Sequence, residues 1–421
     1  MKLNYKRTFF VGLAFMSIST FWVMYDNIIP LILKYTFEIS DTVAGIVMAM
    51  DNVLALFLLP LFGMLSDRTN TRLGRRTPYI LFGTLAATAS MIFIPVSDNI
   101  RSLGLFIAAL GITLLAMSSY RSAAVALMPD VTPKPLRSKA NAIINLMGAV
   151  GGIISLGLIA VLVPKENPDY TLIFILVALI MLLTVLVLVF TIRERKLITN
   201  MDQQIEEEKT TRSAEAMPRD VRMSFRFLLA SVFLWFMGYN AITSAFSKYA
   251  QEFWGLEGGL FAYSLMVAQV VAIIAFIPVG LLASRIGRRK TILGGIVLLA
   301  IAFGSAAFFQ SFTTTLFFFF ALAGVGWASI NVNSYPMVVE MSRNADVGKY
   351  TGIYYTFSMS AQIVTPILSG AFLQYVGYWT LFPYSTLFIA LAFVTMLFVR
   401  HGDNRPLMPK DKIEAFSGMD D

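Results

Sequence analysis

Ionisable side chains are scarce in the long apolar blocks of this sequence, and the few that occur there are the residues with chemistry to offer. "FWVMYDNIIP" holds Asp26, "MAMDNVLAL" holds Asp51 and "MSSYRSAAV" holds Arg121. A charge at the centre of a bilayer costs about 2.5–3.5 kcal/mol on insertion scales, so each is a functional candidate. At the rise of a helix, Asp26 and Asp51 both lie roughly 12 Å below the outer end of their blocks, on adjacent helices. Two carboxylates at one level in a low-dielectric site can hold and release a proton, which is a coupling role. The alternative is that each separately accepts hydrogen bonds from Tyr, Asn or Lys neighbours, or lines an outer vestibule. Arg121 sits in the inner half, roughly 13 Å from the end of its block, at the level of Asn141 and Asn145. It is expected to hold substrate or an acid, or to pair structurally within its own half. Lys34 and Lys248 lie near outer block ends and are expected to snorkel.

The later blocks carry polar residues without charge: Tyr239, Asn240 and Ser244, then Gln269, Asn331 and Asn333, then Tyr354, Tyr355, Ser358 and Gln362. Singly, such residues can be interhelical glue. Together with Asn27, Asn145 and the tryptophans Trp22, Trp235 and Trp327, they offer amides and hydroxyls for OH groups and aromatic faces for an apolar ring side. That set favours a neutral, polyhydroxylated substrate. It argues against a lipid, which would call for a greasy cavity in the C-terminal half.

The elements that must carry these residues are membrane helices. Of 421 residues, 57% are hydrophobic and only 14% charged, with 35 Phe and 22 Met; mean hydropathy is +0.71. A soluble chain would carry nearer 25% charged residues. The apolar residues cluster in blocks of about 20, enough for a helix to cross a hydrocarbon core. Twelve blocks are predicted, near 8–34, 43–66, 77–97, 102–129, 138–163, 170–192, 224–250, 258–283, 290–309, 313–340, 349–374 and 378–400. The first is too long for a cleavable leader and is expected to stay as the first span. The polar breaks alternate in sign. "MKLNYKR", "SDRTNTRLGRR", "PKPLRSK", 193–223, "SRIGRRK" and the tail are rich in Lys and Arg, whereas those between hold almost none. The positive-inside rule puts the basic set and both termini in the cytoplasm. The net charge of +8 is therefore topological and points to no nucleic-acid partner.

The expected organisation is a six-helix bundle over 1–192, a cytoplasmic linker over 193–223, a second six-helix bundle over 224–400 and a cytoplasmic tail over 401–421. The halves echo each other at an offset of about 213. "FWVMYDNIIP" aligns with "LWFMGYNAIT", so Trp22 meets Trp235, Asn27 meets Asn240 and Asp26 meets Tyr239. "GMLSDRTNTRLGRR" is echoed by "GLLASRIGRR", and "ALMPDVTP" by "YPMVVEMS". With no Cys and one histidine, His401 in the polar tail, thiol or histidine chemistry has no basis. No nucleophile–base pair, metal cluster or phosphate loop appears, so no enzyme, metal or organic cofactor is expected.

"GMLSDRTNTRLGRRTPYI" closely resembles the loop between the second and third helices of the major facilitator superfamily, in the form found in the sucrose-type and glycoside-pentoside-hexuronide cation symporters. "YRSAAVALMPDVTPKPLRSKANAIINLMG" resembles that branch's fourth and fifth helices. The resemblance implies an all-α membrane protein of twelve helices in two pseudo-symmetric bundles, a monomer in the cytoplasmic membrane. It would import a sugar, such as a disaccharide or other glycoside, by alternating access. It also implies a cytoplasmic gate of Gly63, Asp67, Arg68, Arg72, Gly74, Arg75 and Arg76 that holds the outward-facing state. Asp130 and Glu340 would be acid partners for that loop and for Arg285 and Arg288 of its second copy, where Ser284 replaces the acid. Sodium symporters of the melibiose type would carry carboxylates where this sequence has Ala55 and Leu59, which leaves H+ as the coupling ion, or none. Arg121 stands nine residues before Asp130, whereas the sucrose branch commonly spaces this pair by five. An exporter or uniporter of another solute, a membrane sensor and a lipid transporter are the competing readings.

Overall fold

The computed structural model describes residues 3–133, 136–165, 168–195, 197, 217–342 and 347–403. Among the described residues, twelve helices are long and apolar enough to cross a membrane: α1 Tyr5–Thr36, α2 Asp41–Arg68, α3 Thr77–Asn99, α4 Leu103–Asp130, α5 Ala140–Leu162, α6 Thr171–Thr191, α7 Arg219–Glu252, α8 Phe261–Ile286, α9 Arg288–Ala306, α10 Leu316–Met341, α11 Lys349–Tyr375 and α12 Tyr378–Leu397. They coincide with the predicted blocks to within a few residues. The largest shift is at α7, which begins at Arg219, inside the stretch assigned to the linker. Most of that linker, 196 and 198–216, and the tail from 404 lie outside the described residues.

The helices form two six-helix bundles with the same internal pairing. In the first, α1 packs on α5 and α6, α4 on α2 and α3, and α3 on α6. In the second, α7 packs on α11 and α12, α10 on α8 and α9, and α9 on α12. Each pair in one half has its counterpart six helices later, so the echo seen in sequence extends to packing. The halves meet along α2 with α11, its symmetry mate α5 with α8, and the central pair α1 with α7. Small residues let these backbones approach: a Cβ on Gly45 would strike the Pro366 carbonyl, and one on Gly370 the Asp41 carbonyl. Both contacts lie near the ends of α2 and α11 remote from the basic loops. That side is called here the opposite face, and the side carrying the basic loops the basic face.

Candidate functional site: a central cavity sealed on one face

Between the halves lies a cavity of about 430 Å³, within the range of small-ligand sites. The N-terminal half lends it Ser19, Trp22, Asp26, Asn27, Asp51, Asn52, Arg121 and Asn145. Asp51 accepts from Asn52 Nδ2 at 2.8 Å and from its backbone N–H at 2.6 Å. Arg121 lies over the Trp22 ring, 5.9 Å from its centroid, at a distance where a cation and a ring face attract. Among the described residues neither Arg121 nor Asp26 forms an ion pair. Trp22 Nε1, Asn27 Oδ1, Asn145 Nδ2 and Asn240 Nδ2 are buried without a hydrogen-bond partner. Buried polar groups are normally satisfied, so three unspent donors and one unspent acceptor around one cavity mark a place for a ligand with hydrogen-bonding groups of its own.

The C-terminal half contributes Tyr239, Asn240, Thr243, Ser244, Gln269, Trp327, Asn331 and Gln362. Tyr239 and Trp327 stack at 3.7 Å with planes 5° apart, and Phe236 braces Trp327 edge-on at 5.5 Å. Gln269 Nε2 crosses between the halves to the Ala149 carbonyl at 3.3 Å. Five residues of the expected set, Trp235, Asn333, Tyr354, Tyr355 and Ser358, are not among those lining the cavity. Trp235 is fully buried in the core. Asn333, two residues past Asn331 and so turned by about 200° around α10, gives its amide back to the Ser329 carbonyl. Tyr355 packs against Tyr335 and Tyr354. Ser19, Asn52 and Thr243 face the cavity without having been singled out. Helical phase relative to Trp22 and Asn240, three residues away, is the signal that finds Ser19 and Thr243, whereas Asn52 stands one turn from Met48, another lining residue.

Part of the C-terminal wall is greasy: Ile242, Ala272, Phe276, Phe303, Phe320 and Ala323 line it. These residues are scattered over four helices, so only the fold brings them together.

The opposite face is closed by an ion cluster between the halves. Asp41, at the start of α2, accepts from Lys248 of α7 at 2.8 Å and from the Tyr378 hydroxyl at 2.8 and 3.0 Å. Lys34 joins it at 3.4 Å, carried by the π-helical turn Ile32–Thr36 that follows Pro30. Thr42 binds Gln374 alongside, at 2.6 Å through its hydroxyl. Lys248 does not snorkel as expected. It is only 4% exposed, because its partner is a buried carboxylate on the other half.

At the basic face, the Arg76 guanidinium ties together its own half. Nε donates to Asp130 at 2.8 Å and Nη1 to the Gly63 carbonyl at 3.3 Å, while further bonds reach Asp67 and Ser66. Burial opposes the charge on Arg76, but the Asp130 and Asp67 carboxylates outweigh it and hold its pKa above the ordinary value. In the second copy Arg288 pairs with Glu340 at 2.7 Å. Arg68, Arg72 and Arg285 are exposed, and Arg75 is half-buried. Sequence reasoning missed Glu194, which is fully buried and accepts from the backbone N–H groups of Arg75, Arg76 and Thr77 and from the Thr77 hydroxyl, at 2.8–2.9 Å. Its counterpart is Asp403, which accepts the Arg289 N–H at 2.8 Å. Each acid sits against a glycine with positive φ, Gly74 at 123° and Gly287 at 96°. A side chain at position 74 would both strain the backbone and displace Glu194. Gly74→Ala is therefore expected to cost about 1–3 kcal/mol, read as a lowered unfolding temperature of the purified protein, and an unchanged temperature would contradict this packing.

In structure, the chain is similar to three solved transporters. With a POT peptide transporter crystallised with sulfate it shares a TM-score of 0.70 and 12% identity, over 94% of this chain and 95% of that one. The POT family transporter PepTSo gives 0.69 and 11%, over 94% and 98%. A bacterial homologue of the iron transporter ferroportin in an inward-facing state gives 0.67 and 14%, over 94% and 99%. No curated protein matches the chain in sequence. The family model of the Major Facilitator Superfamily matches residues 10–286 and 260–416, nearly the whole length, and the chain belongs to that superfamily.

Proposed function

We propose that this member of the superfamily, a multi-pass membrane transporter working by alternating access between its two halves, takes as its substrate a sugar, such as a disaccharide or other glycoside, and imports it with a proton. The observation that carries the reading is the cavity itself. Unpartnered amide and indole groups face a stacked Tyr239–Trp327 pair, a combination suited to hydroxyls on one side of a ring and its apolar face on the other. Asp26 and Asp51 line the same space and are assigned the proton. The basic loops and both termini are assigned to the cytoplasm of a plasma-membrane protein. The sealed opposite face then makes this an inward-facing conformation, and the Arg76 and Arg288 networks belong to the cytoplasmic gate. The protein is taken to work as a monomer with no resident cofactor.

The test is uptake of labelled mono- and disaccharides into proteoliposomes, with and without an imposed pH gradient. Accumulation of at least one sugar, driven by the gradient, is expected. Asp26→Asn or Asp51→Asn should abolish accumulation while leaving sugar exchange between equal pools. If both variants still accumulate sugar, the carboxylates do not carry the coupling. A dipeptide belongs in the panel, because a cavity lined by Arg121 and two carboxylates also suits a zwitterion. Uptake of the dipeptide alone would replace the sugar reading.

A further inference from the structure

We propose that the basic-face end of α7, where it lies beside the end of α12, is a docking site for an anionic phospholipid of the surrounding leaflet. An arginine ladder on α7 would hold the phosphate, and an exposed apolar track along α12 the acyl chain. The site lies outside the central cavity and does not depend on which substrate fills it.

α7 is longer than a span needs. Its 34 residues reach about 50 Å at helical rise, against a hydrocarbon core of about 30 Å. The uncharged run 227–247 is just long enough to cross that core. Arg226 therefore falls at its edge, and Arg222 and Arg219 stand about one and two turns further out, at the level of lipid head groups. Their spacing, i, i+3 and i+7, puts all three on one side of the helix. All three are exposed, and among the described residues none of them forms an ion pair. The one acid of these turns, Asp220, faces another way: with Ser224, one turn on, it meets His401, at 3.3 and 2.7 Å.

Below the ladder runs the apolar track. Met223 is 49% exposed, and Phe227, one turn on, stacks at 5.1 Å on Phe398, itself 52% exposed just past the end of α12. Val394, Leu391 and Leu387 continue from Phe398 along one exposed side of α12. Further positive charge flanks the same helix end. Arg400 is exposed there, and Arg289 of α9 donates to the Leu397 carbonyl at 2.8 Å.

Basic clusters beside a membrane span attract anionic lipid, and the arginine fork suits phosphate oxygens. Topology needs only the number of charges on this face. It does not require three arginines to share one side of a helix, nor an apolar track beneath them. An acidic peptide or a nucleic acid would match the charge but would leave the track, which lies at hydrocarbon depth, unused.

The test is fluorescence quenching in nanodiscs. Since the chain has no cysteine, Met223→Cys carries a single fluorophore at the ladder. Phe308→Cys, at a position 86% exposed just past the opposite-face end of α9 in a stretch without charge, carries it at a control site. Phosphatidylcholine discs receive a small fraction of lipid bearing a nitroxide near the top of its acyl chain and either a phosphatidylglycerol or a phosphatidylcholine head group. At position 223 the phosphatidylglycerol quencher should be preferred at least about five-fold, and at position 308 the two should quench alike. Arg219→Gln, Arg222→Gln and Arg226→Gln together should bring the preference within about two-fold. Molar salt should do the same, since it cuts the range of charge to about 3 Å. Lysine at the same three positions should keep most of the preference. A nanodisc has no inside, so altered orientation of insertion cannot imitate the loss, and quenching by phosphatidylcholine confirms that the reporter still sits at the membrane. Equal quenching by the two lipids at position 223, the same preference at position 308, or a preference untouched by the glutamines overturns the proposal.

Discussion

Asp41→Ala unseals the opposite face. Asp41 and Lys248 are each only 4% exposed, and they sit on different halves of the molecule. Removing one partner of a buried pair leaves the other charge without compensation, at a cost of about 3–5 kcal/mol. That cost falls on the sealed conformation alone, because Lys248 regains water when the halves part at this end. The equilibrium between the two conformations should therefore shift toward opening by roughly two to three and a half decades, at about 1.4 kcal/mol per decade. The chain contains no cysteine, so a single reporter thiol can be placed in the seal without prior engineering. Ala44→Cys, at a position 1% exposed beside Asp41, should react slowly with a membrane-impermeant maleimide in the parent protein and at least about a hundred-fold faster with Asp41→Ala added. Lys248→Met alone should do less, since Asp41 keeps Lys34 and Tyr378. The double variant Asp41→Ala, Lys248→Met should reseal in part, because it no longer buries an unpaired charge. Equal labelling in all four proteins would mean that Asp41 does not hold this face shut.

The same cluster shows where reading the sequence stops. Span number and span limits depend on hydropathy along one dimension, and there sequence and structure agree closely. The repeat is also linear information: it directs Asp130 and Glu340 to arginines of the two loops without saying which, and in the structure Arg76 meets Asp130 and Arg288 meets Glu340. Asp41 instead finds partners 207 and 337 residues away, on helices whose closeness depends on which face of the transporter is shut. Nothing local to "EISDTVAG" says that its acid will be buried. Helical phase is a second limit. Trp22 and Trp235 occupy equivalent places in the repeat, yet one lines the cavity and the other is core. The halves are related in backbone but not in how each turns its side chains toward the centre. The greasy wall is a third limit, since Phe276, Phe303 and Phe320 look like any other residues of an apolar span until four helices converge.

Glu194 offers the sharpest contrast between the two halves. It lies just past α6, in a stretch that reads as an ordinary basic stop signal, and yet it caps the start of α3. Glu194→Ala leaves the N–H groups of Arg76 and Thr77 without an acceptor at sites 6% and 1% exposed. An unsatisfied buried donor costs about 1–3 kcal/mol, and together they amount to on the order of 3 kcal/mol. For a half of this size, that lowers the unfolding temperature by about 6–12 °C, measurable by intrinsic tryptophan fluorescence. Arg76 also loses the backbone position from which it reaches Asp67 and Asp130, so transport should fall with stability. Asp403→Ala removes one backbone hydrogen bond, to Arg289, at a half-buried site, and should cost about 1 kcal/mol and about 2–4 °C. The Arg288–Glu340 pair would stay in place. The difference follows from depth of burial and from the number of hydrogen bonds lost, because both acids hold a helix start beside a glycine of positive φ. If the two substitutions lower the unfolding temperature equally, hydrogen-bond satisfaction does not set the stability of these loops, and a shared electrostatic effect of the lost carboxylate must do so instead.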